Sequence, residues 1–359
     1  MISGGGTGGH IYPAISIAQA LKEILQNVEI LFVGAKGKME MKKVPEAGFN
    51  IVGLWISGIQ RKVSVDNLMF PLKLCSSLLA SARLIKEFKP DAVVGVGGYA
   101  SGPLLYVAGR KKIPTLIQEQ NSYAGLTNKW LSKTANTICV AHEGMEKYFP
   151  KEKIIVTGNP VRQTIKLNPN RIEEAWKHFE LDSTKKTLLV IGGSLGARTM
   201  NESVMGGLEK LKSNDIQLIW QVGGFYYKEM LKRAGDRGKD VVIKDFVRQM
   251  NFAYAIADVV VSRAGALSLA ELMLTGKPAI LVPSPNVAED HQTKNAKALV
   301  ENEAAHMVKD AEARESLIDE AISLMNNEEE KERLSTKIKT MAHENAAVQI
   351  ANEVIKLIA

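Results

Sequence analysis

Ser3-Gly4-Gly5-Gly6-Thr7-Gly8-Gly9-His10 stands near the start of the sequence, and Ile11-Tyr12-Pro13-Ala14-Ile15-Ser16-Ile17-Ala18-Gln19-Ala20-Leu21 follows without a break. Glycine fills five of the six positions from 4 to 9, so almost no side chain separates that backbone from whatever lies against it. The apolar run after it has the spacing of a helix buried on one face. Glycine tolerates the dihedrals that a tight strand-to-helix turn demands. Such a turn aims backbone N–H groups and the positive helix end at an anion, most often a phosphate.

The same glycines have other readings. A glycine-rich turn can be a plain connector. Gly4, Gly6 and Gly9 also have the spacing of a dinucleotide fingerprint, which requires an acidic residue at the end of the second strand. That strand, Val28–Val33, runs into Gly34-Ala35-Lys36 and offers no carboxylate for a ribose. No Gly-Lys-Ser/Thr follows, so the loop is not a Walker loop. His10 places a titratable ring beside the anion site, where it is either a general base or a structural hydrogen-bonding group. Only Met1 and Ile2 precede the loop, fewer than the roughly five residues of an ordinary strand. This predicts that the native start lies upstream.

The chain of 359 residues suits two domains, and its 45% hydrophobic and 24% charged residues are those of a globular protein. A net charge of +7 favours an anionic partner. Aromatic residues make up only 6%, with no interleaved Arg/aromatic repeat, which argues against nucleic acid. Cys75 and Cys139 have no metal or redox spacing and fit a reducing cytoplasm. There is no signal-peptide pattern, and no apolar run approaches the roughly 20 residues of a membrane span.

Strand-like runs alternate with helical patterns, as in a parallel α/β sheet. They fall at Val28–Val33, Ala92–Val96, Pro114–Gln118, Thr137–Ala141 and Ile154–Val156, then at Thr187–Ile191, Gln217–Val222, Val241–Ile243, Asp258–Ser262 and Pro278–Val282. A seam follows Gly158-Asn159-Pro160-Val161-Arg162. Beyond it a second strand runs into a second glycine turn, Gly192-Gly193-Ser194-Leu195-Gly196-Ala197-Arg198. The pattern predicts two doubly wound α/β domains with a cleft between them, ligands lying beyond the carboxyl ends of the strands. The charged run Glu328–Glu332 opens a C-terminal helical stretch whose late apolar residues could pack on either domain.

Further loops carry polar chemistry. Gly97-Gly98-Tyr99-Ala100-Ser101-Gly102-Pro103 and Glu119-Gln120-Asn121 each follow a strand, and amides and carboxylates there suit sugar hydroxyls. Ser262-Arg263-Ala264-Gly265-Ala266-Leu267-Ser268 repeats the strand, turn and helix pattern. Glu271 lies one turn on, placed to accept ribose hydroxyls or simply to favour a helix N-terminus. Gln292 and Asn295 share a helical face. No metal-ligand cluster has convincing spacing. Residues 55–90 combine Arg61, Lys62, Lys73, Arg83, Lys86 and Lys89 with many leucines, among them Leu74, Leu78 and Ile85 on one face and Leu72, Cys75 and Leu79 beside it. Part of this is core; an apolar face rimmed by Lys and Arg also fits an anionic bilayer.

Six motifs, taken in order, resemble the MurG family of glycosyltransferases over nearly the whole chain. They are Gly4 to His10, Gly97 to Pro103, Glu119-Gln120-Asn121 with Ala124-Gly125-Leu126-Thr127-Asn128, Gly158 to Arg162, Gly192 to Ala197, and Arg263 to Ser268. The resemblance implies the GT-B architecture, two Rossmann-like domains spanning 1–161 and 162–340, with the last helix, within 341–359, returning to the first. It implies an inverting transfer of GlcNAc from UDP-GlcNAc to the C4 hydroxyl of the muramyl sugar of lipid I, giving lipid II. No metal or cofactor is implied, and the site of action is the cytoplasmic face of the plasma membrane, with peripheral attachment to its anionic inner leaflet. By position it places Thr7, Gly8 and Gly9 beside the acceptor diphosphate and donor sugar, and Asn121 and Ala266 on the GlcNAc. Arg162 and Ser194 fall on the UDP phosphates, the Val247 backbone on uracil, and Leu267 and Ser268 on the phosphate turn. Glu271 falls on the ribose, and Gln292 and Asn295 on sugar hydroxyls. His10 is the candidate base, with Glu119 next in line. Gln118 and His291 depart from the residues common in the family. The rivals are a UDP-sugar epimerase of the same architecture, a nicotinamide oxidoreductase and a non-catalytic UDP-sugar binder.

Overall fold

The computed structural model describes all residues except 59–67, 163, 164, 166, 194, 236, 237, 288 and 289. The chain divides into two compact units, Met1–Arg162 with Glu344–Ala359, and Gln163–His343. Each is a parallel sheet with helices on both faces.

In the first unit the strands are β1 (Ile2–Ser3), β2 (Leu31–Ala35), β3 (Asn50–Leu54), β4 (Val93–Gly95), β5 (Thr115–Glu119), β6 (Thr137–Val140) and β7 (Ile154–Val156), in spatial order β3-β2-β1-β4-β5-β6-β7. Alternation along the strands divides the core between the two faces. Ile2, Phe32, Val94, Leu116 and Cys139 pack under the helix Gly8–Ile24. Val33, Val93, Ile117 and Ile138 face the helices on the other side, with Leu104, Leu105 and Ile85. β1 has two residues and still lies inside the sheet, between β2 and β4. Ile2 pairs with Phe32 and Val94, Ser3 with Val33 and Gly95. Side chains complete the bracing: Ser3 Oγ donates to Val33 O at 2.8 Å and Ser101 Oγ to Ser3 O at 3.0 Å. The C-terminal helix Ala346–Lys356 packs on Gly8–Ile24 through Ala347, Ile350, Ala351 and Val354.

The helix Phe70–Phe88 reverses the usual amphipathic order. Its inner seam is Lys73, Ser77, Ser81 and Ile85, spaced by four. Lys73 Nζ donates to Ser57 Oγ at 3.0 Å and Ser77 Oγ to Trp55 O at 3.1 Å. Leu72 and Leu79 are 59% and 73% exposed, Leu68 is exposed before them, and Cys75 lies between. Arg83 and Lys86 continue the outward face. Lys73 is thus a buried structural cation and not part of a basic rim; Arg61 and Lys62 lie outside the described residues. Among the described residues no helix is long and apolar enough to cross a membrane.

The second unit contains β8 (Lys186–Ile191), β9 (Ile216–Gln221), β10 (Val241–Lys244), β11 (Val259–Ser262), β12 (Ala279–Leu281) and β13 (His306–Met307), ordered β10-β9-β8-β11-β12-β13. Both sheets reverse strand order beside their first strand, the position at which doubly wound sheets open a crevice for ligands.

Candidate active site

β1, β4 and β5 are neighbours, so their loops leave the same edge of the first sheet side by side. Thr7 is extended (φ −142°, ψ 158°) and caps the first helix without a side-chain hydrogen bond. The leading N–H groups of Gly8 and Gly9 therefore form an uncapped positive end beside an exposed Thr7. Gly6 takes φ +86°, and its N–H donates to Glu40 Oε2 at 2.9 Å. His10 Nδ1 lies 3.0 Å from Gly5 O and 3.4 Å from Thr7 Oγ1. A carbonyl only accepts, so Nδ1 carries the proton and the neutral ring holds its lone pair at Nε2. Gly97, at φ +96°, passes so close that a Cβ there would lie 2.9 Å from Nε2.

The β5 loop is organised by Glu119, which is 3% exposed. Its carboxylate accepts from Asn121 N (3.1 Å), Asn121 Nδ2 (3.4 Å), Gly125 N (3.0 Å) and Asn128 Nδ2 (2.9 Å). Four N–H donors make it a brace for the loop that carries Asn121, in place of the alternative base expected from its position. Gln118 is fully buried beneath the loop. Its Nε2 donates to Asn159 Oδ1 at 3.3 Å and its Oε1 accepts from Gln120 Nε2. It supports the loop from below. Arg162 reaches back to the first helix, its guanidinium 5.6 Å from the centre of the Tyr12 ring.

In the second unit the loops after β8, β11 and β12 are likewise adjacent. The β8 turn is glycine because two backbones press together: a Cβ on Gly196 (φ +81°) would lie 2.2 Å from Val222 O. Gln221 Nε2 donates to Gly193 O at 2.9 Å. Ser194 lies outside the described residues. Gly265 is extended and precedes the helix Ala266–Thr275, whose first turn holds no acidic residue. The N–H groups of Ala266, Leu267 and Ser268 thus form an anion-ready helix start. One turn on, Glu271 Oε2 accepts from Tyr254 OH at 3.2 Å, fixing a half-buried carboxylate near that start. Val247, just beyond β10, buries its side chain.

Gln292 Oε1 accepts from Ser284 N at 2.9 Å. Asn295 is fully buried and donates from Nδ2 to Ala264 O at 3.3 Å. Asn295 thereby braces the β11 loop. Two further residues emerge only in three dimensions. Arg263 turns inward, donates to Val282 O (3.0 Å) and Pro283 O (3.2 Å), and pairs with Asp310. Asp310 in turn accepts from Thr199 Oγ1 at 2.9 Å, so one cation ties the ends of β11 and β12 to the helix after β8. Glu40 is the second; it stands five residues past the end of β2, and its only sequence signal was a carboxylate heading a short helix.

Models of the glycosyltransferase family 28 N-terminal and C-terminal domains match residues 1–140 and 187–354. A relative from Cytophaga hutchinsonii is 56% identical over 358 residues, covering 100% of this chain and 96% of that one. It is named UDP-N-acetylglucosamine--N-acetylmuramyl-(pentapeptide) pyrophosphoryl-undecaprenol N-acetylglucosamine transferase. The crystal structure of Acinetobacter baumannii MurG superposes with a TM-score of 0.76 at 27% identity, covering 99% of this chain and 98% of that one. The chain belongs to the MurG family. It is a glycosyltransferase of GT-B architecture. A Parabacteroides distasonis relative with the same name as the Cytophaga protein is 53% identical over 359 residues, covering 100% of this chain and 98% of that one. A UDP-N-acetylglucosamine 2-epimerase structure shares the fold alone, with a TM-score of 0.66 at 12% identity over 99% of this chain and 94% of its own. The MurG assignment sets aside the nicotinamide oxidoreductase and the epimerase. Among the described residues no group of three or more His, Cys, Asp or Glu side chains is arranged to hold a metal ion.

Proposed function

We propose that this MurG-family enzyme transfers GlcNAc from UDP-GlcNAc to the C4 hydroxyl of the muramyl sugar of lipid I, with inversion, releasing UDP and lipid II. The observation that carries the mechanism is the hydrogen bond from His10 Nδ1 to Gly5 O, which sets the tautomer whose basic nitrogen is Nε2, the atom that takes the hydroxyl proton. The acceptor oxygen bonds to the anomeric carbon as the bond to UDP breaks, and the leaving electron pair goes to the diphosphate. The helix start at Thr7, Gly8 and Gly9 takes the acceptor diphosphate. The helix start at Ala266, Leu267 and Ser268, with Arg162 and, by its position in the sequence, Ser194, meets the charge developing on UDP. Glu271 takes the ribose, the Val247 backbone the uracil, and Asn121, Ala266 and Gln292 the sugar.

The exposed stripe Leu68, Leu72 and Leu79, continued by Arg83 and Lys86, supports peripheral docking on the anionic inner leaflet, where a lipid-linked acceptor resides. UDP release from UDP-GlcNAc, with and without a lipid I analogue, tests the activity: acceptor-dependent release is expected, and release without product disaccharide defeats the reading. His10→Ala should lower kcat by about 10²–10⁴, leave donor binding nearly unchanged and abolish the acid limb of the pH–rate profile. A His10→Asn variant that keeps most of kcat and the acid limb would remove His10 as the base.

A further inference from the structure

We propose that Glu40 is a positioning residue for His10, acting through a single peptide group. The inference rests on the reading of His10 as base and adds a partner for it. Glu40 is fully buried, and both its carboxylate oxygens accept backbone N–H groups, Oε1 from Ala35 at 3.0 Å and Oε2 from Gly6 at 2.9 Å. The Gly6 N–H belongs to the same peptide plane as the Gly5 carbonyl, and that carbonyl accepts the Nδ1 proton of His10 at 3.0 Å. The groups form one line: carboxylate, N–H, C=O, imidazole.

A carboxylate on the N–H end draws density toward the carbonyl oxygen, so hydrogen bonds in series strengthen one another. The stronger acceptor holds the ring in the Nδ1–H tautomer. When Nε2 takes the hydroxyl proton, the imidazolium faces a polarised carbonyl backed by a negative charge.

The packing protects this line. A Cβ on Gly5 would lie 2.2 Å from Glu40 Oε1, and one on Gly34 would lie 2.5 Å from its Cγ, so neither position admits a side chain while Glu40 stays in place. Gly98, at φ +89°, covers the peptide from the other side, where its Cβ would lie 2.5 Å from Gly5 O. The β4 loop presents Gly97 and Gly98, the first helix presents Tyr12 with Arg162 over its ring, and the β5 carboxylate, Glu119, is held by four N–H donors.

The experiment is Glu40→Gln, read by side-chain NMR titration of His10 and by the pH dependence of kcat/KM. Loss of the negative charge should lower the His10 midpoint, and the acid limb with it, by about one pH unit. It should lower kcat about tenfold, with UDP-GlcNAc affinity unchanged. A folded Glu40→Gln protein whose His10 titrates as in the wild type overturns the proposal. A lowered midpoint with an unmoved acid limb supports the Glu40 link and overturns His10 as the base, so the two readings fail separately. Should the variant not fold, the wild type answers: the Gly6 amide proton should titrate at the His10 midpoint, and a flat Gly6 resonance overturns the link.

Discussion

Gly97→Ala probes the placement of the His10 ring directly. The added Cβ would lie 2.8 Å from His10 Cδ2 and 2.9 Å from Nε2. Carbon atoms settle at about 3.5–4.0 Å, so the ring must retreat by roughly 0.7–1.2 Å. It cannot do so without straining the 3.0 Å hydrogen bond from Nδ1 to Gly5 O. A misplacement of about 1 Å in a reacting group costs on the order of 10² in rate. Separately, φ at Gly97 is +96°, where a side chain costs about 1–3 kcal/mol. Gly144→Ala separates the two effects, because Gly144 sits at φ +71° with nothing within 4 Å of an added Cβ. Both variants should melt a few degrees below wild type. Only Gly97→Ala should lose about a hundredfold in kcat, measured as UDP release at saturating UDP-GlcNAc and lipid I analogue. Combined with His10→Asn, it should cost little more, since both act on one group. Full kcat in Gly97→Ala, or losses that multiply in the double variant, would refute the reasoning.

Glu271→Ala should raise the donor KM far more than it lowers kcat, because the carboxylate supports ground-state nucleotide binding; equal falls in kcat and kcat/KM would place it in the transition state instead. Leu72→Glu with Leu79→Glu should abolish binding to anionic vesicles while leaving UDP binding intact, whereas Lys73→Glu should chiefly lower the melting temperature, because its ammonium is buried against Ser57. Vesicle binding that survives both leucine changes would exclude this face. Hydrogen bonds from Arg333, then from His306, hold the Glu330 carboxyl down at about 2. A carboxyl depressed in the folded state stabilises above its unfolded value and loses that contribution as pH falls through the folded one. Glu330→Gln should therefore lower the melting temperature near pH 7, and the difference should vanish by about pH 2; a difference that persists in acid would point to packing.

The segments that local chemistry dictates were legible in the sequence. The glycine runs at 4–9, 97–98 and 192–196 announced strand-to-helix turns, and the alternation of elements announced two parallel sheets. Short elements escaped: Asn50–Leu54 carries Gly53 beside its last residue, and His306–Met307 has too few residues for a period to register. The second strand, expected at Val28–Val33, runs over Leu31–Ala35 instead, continuing through Gly34 because Glu40 fills the space where a side chain would stand.

The sequence by itself determined the fold class, the glycine turns and the family. Each depends on residue type within a few positions, where backbone dihedrals and hydrophobic period act. Which side chains face a ligand was decided by tertiary structure. Glu119 looked like a sugar contact and became a brace, because folding brought backbone N–H groups and a buried amide against it. Lys73 looked like a surface cation and was turned inward by the helix packing on Trp55 and Ser57. Glu40 joined the His10 loop from 34 residues away from Gly6. A hydrogen bond between distant residues has no period and no local dihedral signature. It exists only once the sheet has set β1 beside β2 and brought the two loops into register.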